Sequence, residues 1–182
     1  MQVTLMVRYY SCFFGEIQDI LDFVATGRAV GGEAMSLQRP AGYAGDLSIE
    51  DAYAVLDKDE KSILVDVRTQ PEWAYVGVPD LAALGKTPIF QEWQVYPSMQ
   101  VAADFTPRLE AALTARGADR STPVLFLCRS GVRSRAAAIA LTSAGWAHCY
   151  NIAEGFEGGL DETRKRGALG GWRAEGLPWT QS

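Results

Sequence analysis

The sequence predicts an α/β domain built on a central parallel sheet. Two aliphatic runs, ILVDV at 63–67 and VLFL at 124–127, read as strands buried on both faces, and AHCYNI at 147–152 supplies a third short strand. Stretches of helical periodicity separate them, so the core order is β-α-β-α-β with parallel pairing and right-handed crossovers. The chain has 182 residues, 48% of them hydrophobic and 21% charged, with mean hydropathy -0.04. That is enough for one packed core with a short appendage, and it is not the composition of a disordered chain.

The appendage is residues 1–42, and the domain is 43–182. MQVTLMVRYYSCFFGEIQDILDFV opens the chain, apolar and aromatic at first. A membrane span needs roughly 18 or more apolar residues, and Arg8, Gly15, Glu16 and Asp19 interrupt this stretch too early. It has neither a basic leader nor a small-residue cleavage pattern, so it is not read as a secretory signal. It reads as a short amphipathic helix, or as upstream sequence if Met35 is the true start.

Ser48 with Asp51 makes a capping-box signature, and Ile49, Ala52, Tyr53 and Leu56 follow at helical spacing, so a helix is expected over about 48–57. Residues 75–100 read mostly as loop, with a short strand near Ile89 to Val95. Asp104 is placed to cap a helix whose face is Phe105, Leu109, Ala112 and Leu113, ended by Gly117. After VLFL and CRSG, the segment VRSRAAAIALTSAG reads as a helix closed by Gly145.

Several chemistries are excluded early. Lys and Arg number 17 against 22 Asp and Glu, a net charge of -5 with a pI near 4.9, which argues against nucleic acid as partner. The cysteines, Cys12, Cys128 and Cys149, are odd in number and form no CxxC, so neither a disulfide framework nor a zinc ribbon is expected. A reducing cytoplasm fits. His148 is the sole histidine, and neither GxGxxG nor GxxxxGK[ST] occurs, so no metal, nucleotide or other cofactor is expected.

Open α/β sheets bind ligands beyond the carboxyl ends of their strands, which is where Cys128 and the run from Asp66 to Arg68 fall. Residues 128–135 read CRSGVRSR. A thiol there opens a loop whose backbone amides turn inward at the start of a helix, a nest for anions. That helix N-terminus, with Arg129, Arg133 and Arg135, is expected to favour thiolate and make Cys128 a nucleophile without histidine. Arg68 and Glu72 are expected to form a local ion pair, with Asp66 holding an active-site arginine. Cys149, by its alternation within AHCYNI, reads as core rather than as a resolving thiol.

VLFLCRSGVRSRAAAIAL resembles the active-site strand, loop and helix of the rhodanese family of sulfurtransferases. ILVDVR is similar to that family's early Asp-Val-Arg strand, and GGWRAEGLPW to its domain ends, while AEGFEGG sits where the family often has a glycine-rich turn. The resemblance implies a three-layer fold, with helices on both faces of the parallel sheet. It implies that Cys128 accepts a sulfur atom as a persulfide, cradled by Arg129, Ser130, Gly131, Val132, Arg133 and Ser134, with Asp66, Arg68 and Arg135 supporting. The donor would be a small anion such as thiosulfate or another persulfide, and the acceptor cyanide, a thiol or a protein sulfur acceptor, with neither nucleic acid nor membrane involved. In PEWAYVGVPDL, Val78 directly follows Gly77 where the family often has histidine, a departure that bears on substrate and partner. Two other readings compete: a cysteine-based phosphatase or arsenate reductase, and a non-catalytic binding or sulfur-sensing module.

Overall fold

The structure is a computed structural model and describes residues 42–181. The expectations for the appendage therefore lie outside the described residues, apart from Gly42.

In chain order the elements are β1 (Gly45–Leu47), α1 (Ile49–Lys58), β2 (Ile63–Asp66), α2 (Gln70–Val76), β3 (Val78–Pro79), a 3-10 turn (Ala82–Leu84), β4 (Ile89–Phe90), β5 (Gln94–Val95), β6 (Gln100–Val101), α3 (Phe105–Ala115), β7 (Val124–Leu127), α4 (Val132–Ser143), β8 (Cys149–Ile152), α5 (Gly171–Ala174) and β9 (Trp179–Thr180). Five strands form the main sheet in the order β1-β8-β7-β2-β4, all parallel. Two small antiparallel pairs, β3 with β9 and β5 with β6, sit apart from it.

The three strands read from sequence occupy the middle of this sheet, with β7 at its centre and buried throughout. Their aliphatic runs need cover on both sides and receive it. Val124 and Phe126 join one cluster with Phe105, Leu109 and Leu113 of α3 and Ala137, Ala138 and Leu141 of α4. Leu125 and Leu127 alternate to the opposite face. There the buried side chains of α1 (Ile49, Ala52, Val55, Leu56), which lie outside that cluster, close the core together with Trp172. The Tyr53 and Trp172 rings meet edge to face at 5.9 Å.

Helix α1 begins as its sequence requires, with the Ser48 hydroxyl accepting the Asp51 N-H at 3.1 Å. Three details differ from the sequence reading. Asp104 does stand at the N-cap of α3, but its side chain makes no capping bond. The strand expected over Ile89 to Val95 is two strands: β4 stays in the main sheet, while β5 pairs with β6 instead, and between them Gln91 donates its side-chain amide to the Phe105 carbonyl at 2.7 Å. The edge strand β1 has no counterpart among the expected strands; it is three residues long, too short for a periodicity of its own.

Candidate active site

Cys128 directly follows Leu127, at the carboxyl end of the central strand. The residue is 1% exposed, and its sulfur accepts two hydrogen bonds, from the Gly131 N-H at 3.2 Å and the Ser134 hydroxyl at 3.1 Å. The bend that aims the Gly131 amide inward needs φ near +91°, which favours glycine, and a Cβ there would lie 2.0 Å from the Ala153 carbonyl oxygen. The loop thus brings one backbone donor and one side-chain donor onto a single sulfur.

A second turn, from Ala153 to Glu157, holds this loop from behind. The Phe156 N-H donates to the Cys128 carbonyl at 2.8 Å and the Glu157 N-H to the Arg129 carbonyl at 2.9 Å. Gly155, at φ +66°, lies so close that a Cβ would stand 2.5 Å from the Cys128 carbonyl oxygen and 2.6 Å from Ser130 N. The Phe156 ring is itself clamped, with the Arg68 guanidinium 4.0 Å from its centroid and Trp179 edge-on at 6.2 Å.

The loop arginines separate into braces and one free side chain. Arg133 grips Glu72 through two bonds of 2.8 and 2.6 Å, a bidentate pair between α4 and the start of α2. Burial alone would push the Glu72 carboxyl up. The bonds from Arg133 and from the Thr69 N-H and hydroxyl outweigh it and hold the carboxyl at about 2. Arg135 reaches away to Asp46 on β1 at 2.8 Å, a carboxylate that also accepts Tyr43 and Asn151. Arg129 is exposed, and its guanidinium has no hydrogen-bond partner among the described residues.

These contacts correct two sequence expectations. Arg68 does not pair with Glu72: it forms a fully buried pair with Asp66 at 2.6 Å and donates to the Gly77 carbonyl at 2.8 Å. A carboxylate two residues away on the same strand end outcompetes one on the next helix. Asp66 consequently holds Arg68, which acts on the loop through Phe156. The loop arginines also divide over the thiol: Arg135 is tied to Asp46 at the sheet edge, while the Arg133 charge is favoured by Glu72 and, in smaller part, by Cys128. Val132 turns its side chain to solvent, 77% exposed, and the donors to the sulfur come from Gly131 and Ser134 instead.

Cys149 pairs in register with Val124, four residues before Cys128, or roughly 13 Å of strand rise away. Burial pushes its thiol up to about 12. The position and the suppressed ionisation both fit a packing residue. Two cavities of about 660 and 630 Å³ open beside Trp146 and beside Lys86, where the central strands begin, so neither lies at the Cys128 end. Among the described residues there is no group of three metal-ligating side chains and no helix long and apolar enough to cross a membrane.

The sequence model of the Rhodanese-like domain matches residues 48–162. The chain belongs to the rhodanese-like family. A crystal structure of Rv0390 from M. tuberculosis is 44% identical, aligns over 77% of this chain and 99% of that one, and superposes with a TM-score of 0.67. Among sequence relatives, RC0915 of Rickettsia conorii is 37% identical and RP600 of Rickettsia prowazekii 35%, each over 128 residues that cover 70% of this chain and 90% of theirs. The rhodanese-like match takes in both α1 and the 153–157 turn, so the brace behind Cys128 lies within the family's own domain. The Glu72 bond was partly legible as a T-x-x-E capping pattern at Thr69, but its long-range partner Arg133 was not.

Proposed function

We propose that the chain is a sulfurtransferase working through a persulfide on Cys128. The observation that carries this reading is the pair of donors, Gly131 N-H and Ser134 O-H, on one buried sulfur at the end of the central strand. The Cys128 thiolate attacks the outer sulfur of an anionic donor such as thiosulfate. The donor's S-S bond breaks, sulfite leaves with the electron pair, and Cys128 carries the persulfide. A cyanide or thiolate acceptor then attacks that outer sulfur, and the second S-S cleavage returns the electron pair to Cys128. In that second step the Ser134 hydroxyl stabilises the departing thiolate, so no histidine is required. A protein thiol serves as a further acceptor, and a reducing cytoplasm, which keeps such thiols free, is the compartment in which the cycle turns.

The phosphatase alternative needs an arginine free to clamp an oxyanion. Four residues separate Cys128 from Arg133, and the Arg133 guanidinium is engaged by Glu72 and only 13% exposed. A side-by-side assay separates the two chemistries. Thiosulfate:cyanide turnover that vanishes in Cys128→Ser, with only trace aryl phosphate hydrolysis, supports sulfur transfer; Cys128-dependent phosphatase activity refutes it.

A further inference from the structure

The consecutive residues Arg133, Ser134 and Arg135 open helix α4 and point three ways. An α-helix turns about 100° per residue, so side chains at positions 133 and 135 leave on opposite flanks of the one at 134. Ser134, between them, donates to the Cys128 sulfur at 3.1 Å. Arg133 reaches Glu72 of α2 at 2.6 Å, and Arg135 reaches Asp46 of β1 at 2.8 Å. Two carboxylates on different elements thus hold this helical turn from either flank, and with it the direction of the Ser134 hydroxyl.

The Asp46 anchor is itself held in place. Its Oδ1 accepts the Tyr43 hydroxyl at 2.8 Å and the Asn151 Nδ2 at 2.7 Å, and its Oδ2 is left for Arg135. Tyr43 and Asn151 are both buried. Asn151 stands on β8 in register with Asp46 on one side and with Phe126 on the other, two residues before Cys128. Turning Nδ2 to Asp46 leaves the Asn151 Oδ1 buried without a hydrogen-bond partner. An unmet buried acceptor is costly, so the amide is oriented for Asp46 and not for its own surroundings. The Arg135-Asp46 pair, by contrast, is 53% and 35% exposed. An ion pair so open to water adds little to stability.

We infer that Asp46 is a positioning residue for sulfur transfer: through Arg135 it keeps the Ser134 hydroxyl on the Cys128 sulfur, an inference resting on the sulfurtransferase reading above. When the acceptor attacks the outer sulfur and the S-S bond breaks, the electron pair returns to Cys128, and the Ser134 hydroxyl must already face that sulfur. Asp46 therefore acts on turnover and not on donor binding.

Asp46→Asn separates positioning from support. The remaining Oδ1 still accepts Tyr43 and Asn151, while the amide nitrogen in place of Oδ2 cannot accept from Arg135. The variant should melt like the wild type, and its thiosulfate:cyanide kcat should fall roughly three- to tenfold with KM for thiosulfate unchanged. In a Ser134→Ala background the same change should lose most of its effect, because the hydroxyl it acts through is gone. Arg135→Met cuts the bond from the other end and should match Asp46→Asn, whereas Arg135→Lys keeps a cation for Asp46 and should retain most of the rate. If Asp46→Asn does not fold, these two Arg135 variants decide, with and without Ser134→Ala. An unchanged kcat, an equal loss in both backgrounds, or a loss confined to KM overturns the inference. Absent turnover in the wild type sinks the sulfurtransferase reading instead, and amide exchange then decides the positioning. The Arg135 N-H bonds the Gly131 carbonyl at 3.2 Å, and the Val124 N-H in the central strand bonds the His148 carbonyl at 2.8 Å. Asp46→Asn should speed exchange at Arg135 by about threefold or more and leave Val124 unchanged, and unaltered exchange at Arg135 refutes the positioning.

Discussion

At the residue scale the proposed chemistry turns on what touches one sulfur. Ser134 is fully buried and its hydroxyl donates to Cys128. A hydrogen bond to a charged group is worth about 1.5–3 kcal/mol. Ser134→Ala should therefore slow thiosulfate:cyanide turnover roughly ten- to a hundredfold, by the barrier arithmetic of about 1.4 kcal/mol per decade. Steady-state kinetics on a variant that melts like the wild type measures this, and an unchanged kcat would remove Ser134 from the chemistry. Cys128, Arg133 and Ser134 were all legible in CRSGVRSR. Their partners were not, because Glu72 stands 61 positions from Arg133 and Asp46 stands 89 from Arg135. A charge pair across that separation is set by which strands become neighbours, which no local pattern encodes.

At the scale of elements, the Cys128 loop is positioned by a turn rather than by its own helix alone. Gly155 and Gly176 both adopt positive φ, +66° and +71°, but a Cβ on Gly155 meets the loop backbone while one on Gly176 meets nothing within 4 Å. Gly176→Ala should cost only the backbone strain, on the order of 1 kcal/mol, and leave turnover intact. Gly155→Ala should cost more stability and also lose most turnover, because the loop must shift away from the added methyl group. Thermal melts and turnover on both variants check the contrast, and equal effects would show that the turn does not position the loop. The buried strands around this turn were plain from ILVDV and VLFL, since only residues covered on both faces are aliphatic without alternation. The short strands β1, β3 and β9 had no such signature, because pairs and triplets of residues are ordered by their neighbours, not by their own pattern.

For the molecule as a whole, the Arg133-Glu72 bridge ties α4 to α2, so it links stability to pH. Glu72 is held at about 2, below its ordinary 4.5. A depressed carboxyl stabilises the fold in full above its unfolded value and loses that contribution as pH falls from 4.5 toward 2. Glu72→Gln should therefore melt lower than the wild type near neutral pH, with the gap narrowing through that window. A gap independent of pH would show that the bridge is not the source. Strand order, loop, turn and bridge all converge on one proposed task, carrying a single sulfur atom on Cys128. Intact-mass analysis after thiosulfate treatment tests that task most directly. The wild type should gain the mass of one sulfur, lose it on cyanide addition, and differ in this from Cys128→Ser, which should gain none. No added sulfur on the folded wild type, or an equal addition to Cys128→Ser, would contradict it.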